Sequence, residues 1–422
     1  MLDIKLIREE PEKVKQGIAA KNADPALADE FLRLDGEWRA LTAELDEKRA
    51  EQNRLSKAHS AGLGQEREAA KKNKEKIKEL ESKLAATEKS REEILMQIPN
   101  LPDENAPRGK SEAENKVLRE VGEKSKFDFT PKDHLELGEA LDIIDFATAS
   151  KVSGSGFYYL KNDGVLLEFA LVRYALDFLK KKGFDLWLTP DLAREKFYLG
   201  TGYNPRGPEA QTYLIESSDL GLVATSEVTL AGIHADKTFS ADELPKRYAG
   251  YSHCFRQEAG AYGKYSRGLY RVHQFTKVEM YAFTRPEESS KMHEELLALE
   301  EEIWRGLSIP YRVLEMCTGD LGSQASRKFD IEAWMPGRGD WGEVTSTSST
   351  TDYQARRLNI RYAVPKTSNL KAKTSNFVHT LNGTAIATSR AIIAILENCQ
   401  RNDGKIDVPK ALQKYVGKKN IG

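Results

Sequence analysis

Apolar side chains recur at steps of three and four in two stretches of this chain. The first runs through Phe31, Leu34, Trp38, Leu41 and Leu45, the second through Ile77, Leu80, Leu84, Thr87, Arg91 and Ile94. Such spacing places one residue per turn on a single helical stripe, the seam of a coiled coil. From about Asp29 to Gln97 the composition is rich in Lys, Glu and Ala, interrupted by "HSAGLG" at His59–Gly64. Two glycines midway predict two helices that fold back as an antiparallel hairpin. A helix of some thirty residues would extend roughly 45 Å, too long for a domain core, so the hairpin should project as an arm.

The pattern changes at "IPNLPDENAPRGKSEAENK", where prolines and polar residues end the helix and mark a boundary. We place an N-terminal domain at residues 1–110, with its arm at about 29–97, and a second domain at 111–422. In the second domain, "LDFLKKKGFDLWLTPDL" reads as a helix, a glycine stop and a strand ended by Pro190. "VATSEVTL", "RYAGYSHCFRQEAG" and "LYRVHQFTKVEMYAF" read as strands, and "SSKMHEELLALEEEIWRGL" as a long amphipathic helix. "WGEVTSTSSTTDYQARRLNIRY" reads as a strand with a turn. "HTLNGTAIATSRAIIAILENCQ" reads as a strand, a glycine turn and a buried helix. Strands clustered between helices without regular β–α alternation predict an α+β fold on an antiparallel or mixed sheet.

Bulk properties change this picture little. The 422 residues carry a formal net charge of −1, so no global basic field advertises nucleic acid. There is no apolar signal core at the start and no uninterrupted apolar run of membrane-spanning length. Cys254, Cys317 and Cys399 are isolated from one another, which favours a reducing compartment and argues against a structural zinc site. A soluble, cytoplasmic protein is the expectation.

Candidate chemistry concentrates in two segments. In "CFRQEAG", Arg256 and Glu258 stand two apart; in "RVHQFTKVEMYAF", Phe275, Lys277 and Glu279 do the same. Strand side chains alternate faces, so the two segments read as a hairpin aiming charge and one flat ring at a common surface. Taken singly, each residue has a plainer reading: Arg256 with Glu258 as a cross-strand ion pair, Phe275 as core, Glu279 as a solvated strand residue, Thr384 as turn chemistry, Arg390 as a solvated helix residue.

Three ordered motifs outweigh those readings: "GFDLWLTP" with Pro190, "FRQEAG" leading to "RVHQFTKVEM", and "NGTAIATSR" ending at Arg390. In this set and order the C-terminal part resembles the class II aminoacyl-tRNA synthetases. With "VSGSGFYYL", "TSE" at Thr225–Glu227, "STTDYQARRLNIRY" and the helical hairpin, the whole chain resembles the bacterial-type seryl-tRNA synthetases. The resemblance implies a class II antiparallel sheet flanked by helices, activation of L-serine with ATP, and transfer of serine to the 3′-terminal ribose of tRNA(Ser), and of tRNA(Sec) where present. It also implies a homodimer with the Pro190 motif near its interface, and tRNA reached through the arm and the "AYGKYSRG" loop.

The residue roles follow from the same resemblance. Activation joins a carboxylate to the α-phosphorus of ATP, two anionic partners, so positioning and charge neutralisation are the task. Arg256, Arg390 and Glu343 would be catalytic. Gln257, Glu258, Arg271, Val272, Phe275, Val344, Thr345 and Ser346 would join them around ATP, with Phe275 stacking on the base, Glu258 accepting from its amino group, and Arg390 opposite Phe275. Mg²⁺ would enter with the nucleotide at Glu343 and Ser346, since it prefers oxygen ligands shared with phosphates, and no zinc is expected. Serine would be held by Thr225, Ser226, Glu227, Arg256, Glu279, Asn382 and Thr384. A buried acceptor such as Glu279 rejects a substrate lacking the hydroxyl far better than a pocket sized for one methyl group does.

Two rivals make different demands. An inactive paralogue would lose charged site residues, yet Arg256, Glu258, Glu279, Glu343 and Arg390 are all present. A ligase loading an amino acid onto a carrier protein would be expected to lack the long arm. A pure coiled-coil scaffold leaves the hundreds of residues of mixed sheet unexplained.

Overall fold

The computed structural model describes residues 1–59, 66–203, 211–258, 268–364 and 375–422. The glycine break of the arm and most of the "AYGKYSRG" loop therefore lie outside the described residues. The chain divides into two compact units, Met1–Leu101 and Pro102–Gly422.

Among its described residues, unit one has four helices: α1 (Ile4–Glu9), α2 (Pro11–Ala20), α3 (Ala26–His59) and α4 (Glu66–Gln97). The last two, 34 and 32 residues long, run about 50 Å each. Their contacts step in opposite directions: Asp35 meets Arg91, Thr87 meets Glu37, and Asn73 meets Gln52. That is an antiparallel pair. Phe31, Leu34, Leu45 and Leu80 are buried along the seam, as the spacing predicts. Arg91 occupies its seam position as an ionic rung. Its guanidinium donates to the fully buried carboxylate of Asp35 at 2.8 Å and lies over the rings of Phe31 and Trp38, 5.3 and 5.0 Å from their centroids. Arg8 of α1 binds the same carboxylate with two hydrogen bonds of 2.8 Å, and Arg39 approaches it at 3.2 Å. Burial alone would raise the Asp35 pKa, but the bonds from Arg8 and Arg91 hold it below the usual carboxylate range.

Unit two is built on an eight-stranded sheet. Its strands are β1 (Lys116–Val121), β2 (Asp185–Leu188), β3 (Lys246–Phe255), β4 (Gln274–Thr284), β5 (Tyr311–Glu315), β6 (Arg327–Met335), β7 (Asp340–Ser349) and β8 (His379–Ala387). The spatial order is β1-β5-β6-β7-β8-β4-β3-β2, antiparallel throughout except for the parallel pair β2–β3 at one edge. Helices α5 (Asp163–Lys181), α7 (Ser289–Leu307) and α9 (Thr388–Asn398) pack on it, with α6 (Glu227–Gly232) and α8 (Tyr353–Leu358) lying between α5 and α9 in chain order on either side of α7. The core gathers Leu171, Leu296, Trp304 and Ile392 from the helices with Val278, Met280 and Ile331 from the strands. Along β4, the core residues Val278 and Met280 alternate with Phe275, Lys277 and Glu279, so one strand serves core and cleft on opposite faces.

Four local expectations are corrected. "VATSEVTL" is not a strand: the strand ahead of it ends at Leu222, and α6 begins at Glu227. Thr225 Oγ1 accepts from the Glu227 amide, and Ser226 donates to Gly250 O, so tertiary bonds turn the chain there. Arg256 and Glu258 lie beyond the end of β3 at Phe255, with Glu258 in the left-handed region at φ 49°. "WGEVTSTSSTTDYQARRLNIRY" contains the helix α8 between two strands. "NGT" is no turn, since Gly383 lies inside β8. A Cβ at Gly383 would sit 2.9 Å from Glu300 Oε1 and 3.1 Å from Thr347 Oγ1, so close packing against neighbours demands the glycine.

Candidate active site

The second unit holds a cleft at the junction of β3, β4, β7, β8 and the start of α9. Its inner part is a cavity of about 110 Å³. It opens towards a larger one of about 600 Å³ that shares Tyr203, Glu227, Arg256, Glu343, Ser346 and Asn382.

At one end of the inner cavity, β4 presents Phe275 and the segment after β3 presents Arg256, whose guanidinium carbon lies 5.2 Å from the Phe275 ring centroid. Arg390, on the first turn of α9, lies 4.9 Å from the Tyr270 centroid and pairs with Glu343 of β7 at 3.0 Å. It therefore stacks on Tyr270. Desolvation would raise the Glu343 carboxyl, but the positive charges of Arg390, Lys328 and Arg256 outweigh it and hold the group at about 2. Glu258, Val272, Val344, Thr345 and Ser346 complete this end. Glu343 and Ser346 supply a carboxylate and a hydroxyl, hard oxygen donors of the kind a phosphate-bound Mg²⁺ takes. Among the described residues no cluster of three or more His, Cys, Asp and Glu side chains forms a self-sufficient metal site.

The other end is more deeply buried. Glu279 is 2% exposed, which removes the solvated-strand reading, and it pairs with Lys277 at 2.5 Å. Thr384 of β8 donates to Glu279 Oε2 at 3.3 Å across the β4–β8 register that sets the two residues opposite each other. Glu227 at the head of α6 receives three hydrogen bonds: from Tyr203 Oη at 3.1 Å, Gln354 Nε2 at 2.6 Å and Asn382 Nδ2 at 3.1 Å. Burial first, and the charge of Glu279 second, push its carboxyl up to about 7. Thus the carboxylates of Glu227, Glu258, Glu279 and Glu343 share one small volume with Arg256, Arg390 and Lys277.

Four of the residues expected at the site do not line the cavity. Thr225 and Ser226 hold the turn before α6. Gln257 bonds to the Gln211 and Thr212 carbonyls. Arg271 is exposed and pairs with Glu258 at 3.1 Å. Conversely, Tyr203, Tyr270, Ala387 and Ser389 line the cavity without having been singled out, as does Lys277, which the sequence placed on the hairpin's charged face but gave no role. The step of two from Phe275 through Lys277 to Glu279 was a signal for Lys277. Tyr203, after a helix and a glycine, offered none.

Family models match on both sides of the division. The seryl-tRNA synthetase N-terminal domain covers residues 1–102, and the tRNA synthetase class II core domain (G, H, P, S and T) covers residues 213–399. The serine–tRNA ligase of Dictyoglomus turgidum is 54% identical over 423 residues, 99% of this chain and 98% of that protein. That of Rubrobacter xylanophilus is 52% identical, covering 100% of this chain and 99% of its own. The crystal structure of seryl-tRNA synthetase from Pyrococcus horikoshii complexed with ATP matches with a TM-score of 0.93 at 42% identity, over 100% of this chain and 99% of that one. With both family models in register and relatives of more than half identity from end to end, this chain belongs to the seryl-tRNA synthetases, within the class II aminoacyl-tRNA synthetases.

Proposed function

We propose that the cleft forms seryl-adenylate from L-serine and ATP, and that the chain then transfers the seryl group to tRNA(Ser), and to tRNA(Sec) where that tRNA is present. One observation carries the assignment of roles: a single small cavity sets the guanidiniums of Arg256 and Arg390 at one end against the buried carboxylates of Glu227 and Glu279 at the other. Arginines suit phosphates and a carboxylate; buried carboxylates suit an ammonium and a hydroxyl.

In this reading the nucleotide base stacks on Phe275, and Glu258 accepts from its amino group. Gln257 and Arg271 support this end through the bonds described above, and Val272, Val344 and Thr345 wall it. The serine ammonium lies against Glu227, whose turn Thr225 and Ser226 secure. The hydroxyl donates to Glu279, with Thr384 and Asn382 beside it. Alanine would leave the buried Glu279 acceptor without that donor, a loss that discriminates strongly. The serine carboxylate attacks the α-phosphorus in line, and pyrophosphate leaves. Arg256 neutralises charge that builds on the α-phosphate, and Arg390 that on the departing end. A Mg²⁺ ion held by Glu343 and Ser346 would draw negative charge from the phosphate oxygens. In the second half-reaction the 3′-terminal ribose hydroxyl attacks the seryl carbonyl and AMP leaves.

The partner assignments extend this reading. The arm would bind tRNA through exposed lysines, with the "AYGKYSRG" loop near the acceptor end. A homodimer through the Pro190 motif is supported by β2, an edge strand on which Leu186, Trp187 and Leu188 are 42%, 39% and 80% exposed; an apolar open edge calls for a cover. No helix among the described residues is long and apolar enough to cross a membrane, and we place the protein in the cytoplasm. ATP–pyrophosphate exchange with a panel of amino acids tests the central assignment: serine alone should support exchange. Equal exchange with alanine or threonine would refute the serine pocket.

A further inference from the structure

Gln354 is fully buried on α8, within the polar stretch that follows β7, and it does not line the cavity. Its carboxamide is nonetheless saturated. Nε2 donates to Glu227 Oε1 at 2.6 Å and to the Thr201 carbonyl at 3.0 Å. Oε1 accepts from Tyr281 Oη at 2.7 Å and from Thr380 Oγ1 at 2.9 Å. An amide has two donors and two acceptor positions, and all four are used. Rotating the amide by half a turn would face its oxygen to a carboxylate and a carbonyl, so the network admits one orientation.

We propose that Gln354 is a positioning residue for amino acid selection, fixing the Glu227 carboxylate through Oε1, which also accepts from Asn382, so that Oε2, which accepts from Tyr203, keeps a lone pair and its negative charge for the substrate ammonium. This rests on the reading of Glu227 as the ammonium contact. The chemical reason is charge economy. A lysine or arginine at this place would hold Glu227 equally well but would cancel its charge. A neutral amide donor orients the carboxylate and leaves the charge for a cation. The other groups that act on Glu227 are Tyr203 and Asn382, which donate to it, and Glu279 and Lys277 on β4, while Arg256 lines the same cavity. Glu279 disfavours the ionised form, which makes each donor matter more.

The test is steady-state ATP–pyrophosphate exchange on the full-length chain with Gln354→Met, Glu227→Gln and the double variant. Loss of a neutral donor to a charged acceptor should raise the serine KM roughly tenfold to a hundredfold, with the ATP KM unchanged. In the Glu227→Gln background the same Gln354 substitution should add less than about twofold, because residues acting through one contact are not additive. Should Gln354→Met fail to fold, Gln354→Asn retracts the amide by one methylene and should give the same pattern. A rise in both KM values, or the full factor reappearing in the Glu227→Gln background, would overturn the proposal and leave the Glu227 reading intact. An unchanged serine KM in Glu227→Gln would overturn the reading itself, and the proposal with it.

Discussion

Lys71, Lys74 and Lys78 follow one another at steps of three and four along α4, and all three are exposed. Asn73, which at about 100° per residue lies about 160° around the helix from Lys71, about 100° from Lys74 and about 140° from Lys78, is buried against α3, where it donates to Gln52 and to the Lys48 carbonyl. The lysine stripe therefore points away from the partner helix. Neighbouring Lys76 is partly occupied by Glu79 at 3.3 Å. If the stripe tracks a phosphate backbone, each lysine releases about 0.9 of a counterion, so replacing all three with glutamine should lower the log–log salt slope of tRNA binding by about 2.7. Between 50 and 200 mM salt the unsubstituted protein should then lose roughly 40-fold more affinity than the variant. Anisotropy titrations with labelled serine tRNA across that range measure the slope, and serine-dependent ATP–pyrophosphate exchange should stay unchanged. A slope altered by less than about one would mean that the stripe is a solvated face and that the arm reads tRNA elsewhere, or not at all.

Other expectations concern the cleft. Glu279→Ala should abolish serine-dependent exchange while leaving ATP affinity largely intact by equilibrium binding; normal serine activation would remove Glu279 from the pocket. Arg256→Ala should slow adenylate formation by about 10²–10³-fold, the usual cost of one preorganised charge contact, whereas Phe275→Leu should chiefly raise the ATP KM. Full exchange activity in Arg256→Ala would place the nucleotide elsewhere. The Glu227 carboxyl, pushed up to about 7, must be ionised to hold an ammonium. Serine-dependent kcat/KM should therefore fall as pH drops through about 7, and Glu227→Gln should flatten that acidic limb. An identical limb in the variant would assign it to another group.

Much of this architecture was legible because single elements obey one period. The arm shows its seam from Phe31 to Leu45, and α7 was readable from end to end because its apolar face repeats every third or fourth residue. Strand β4 was equally clear, since core and cleft claim alternate side chains. Where tertiary contacts overrule local pattern, the reading failed. "VATSEVTL" alternates like a strand, but Ser226 is claimed by Gly250 and the chain turns into α6. Gly383 resembles a turn residue, yet its need comes from Glu300 and Thr347, residues remote in sequence. Gln354 lies in a polar run with no periodicity, and only its four partners reveal what it does.

The convergence of Arg8, Arg39 and Arg91 on Asp35 acquires another meaning when the arm is regarded as a lever. From Asp35 to His59 the helix continues for about 36 Å at 1.5 Å per residue. A tilt of 5° at the root would displace the far end by about 3 Å, comparable to the length of a hydrogen bond. Precision at the tip is therefore decided near the fulcrum, where one carboxylate ties α1, α3 and α4 together. Short, directional bonds resist such rocking better than an apolar contact, which slides at little cost. The outer turns of α3 thus inherit their alignment from one fully buried charge.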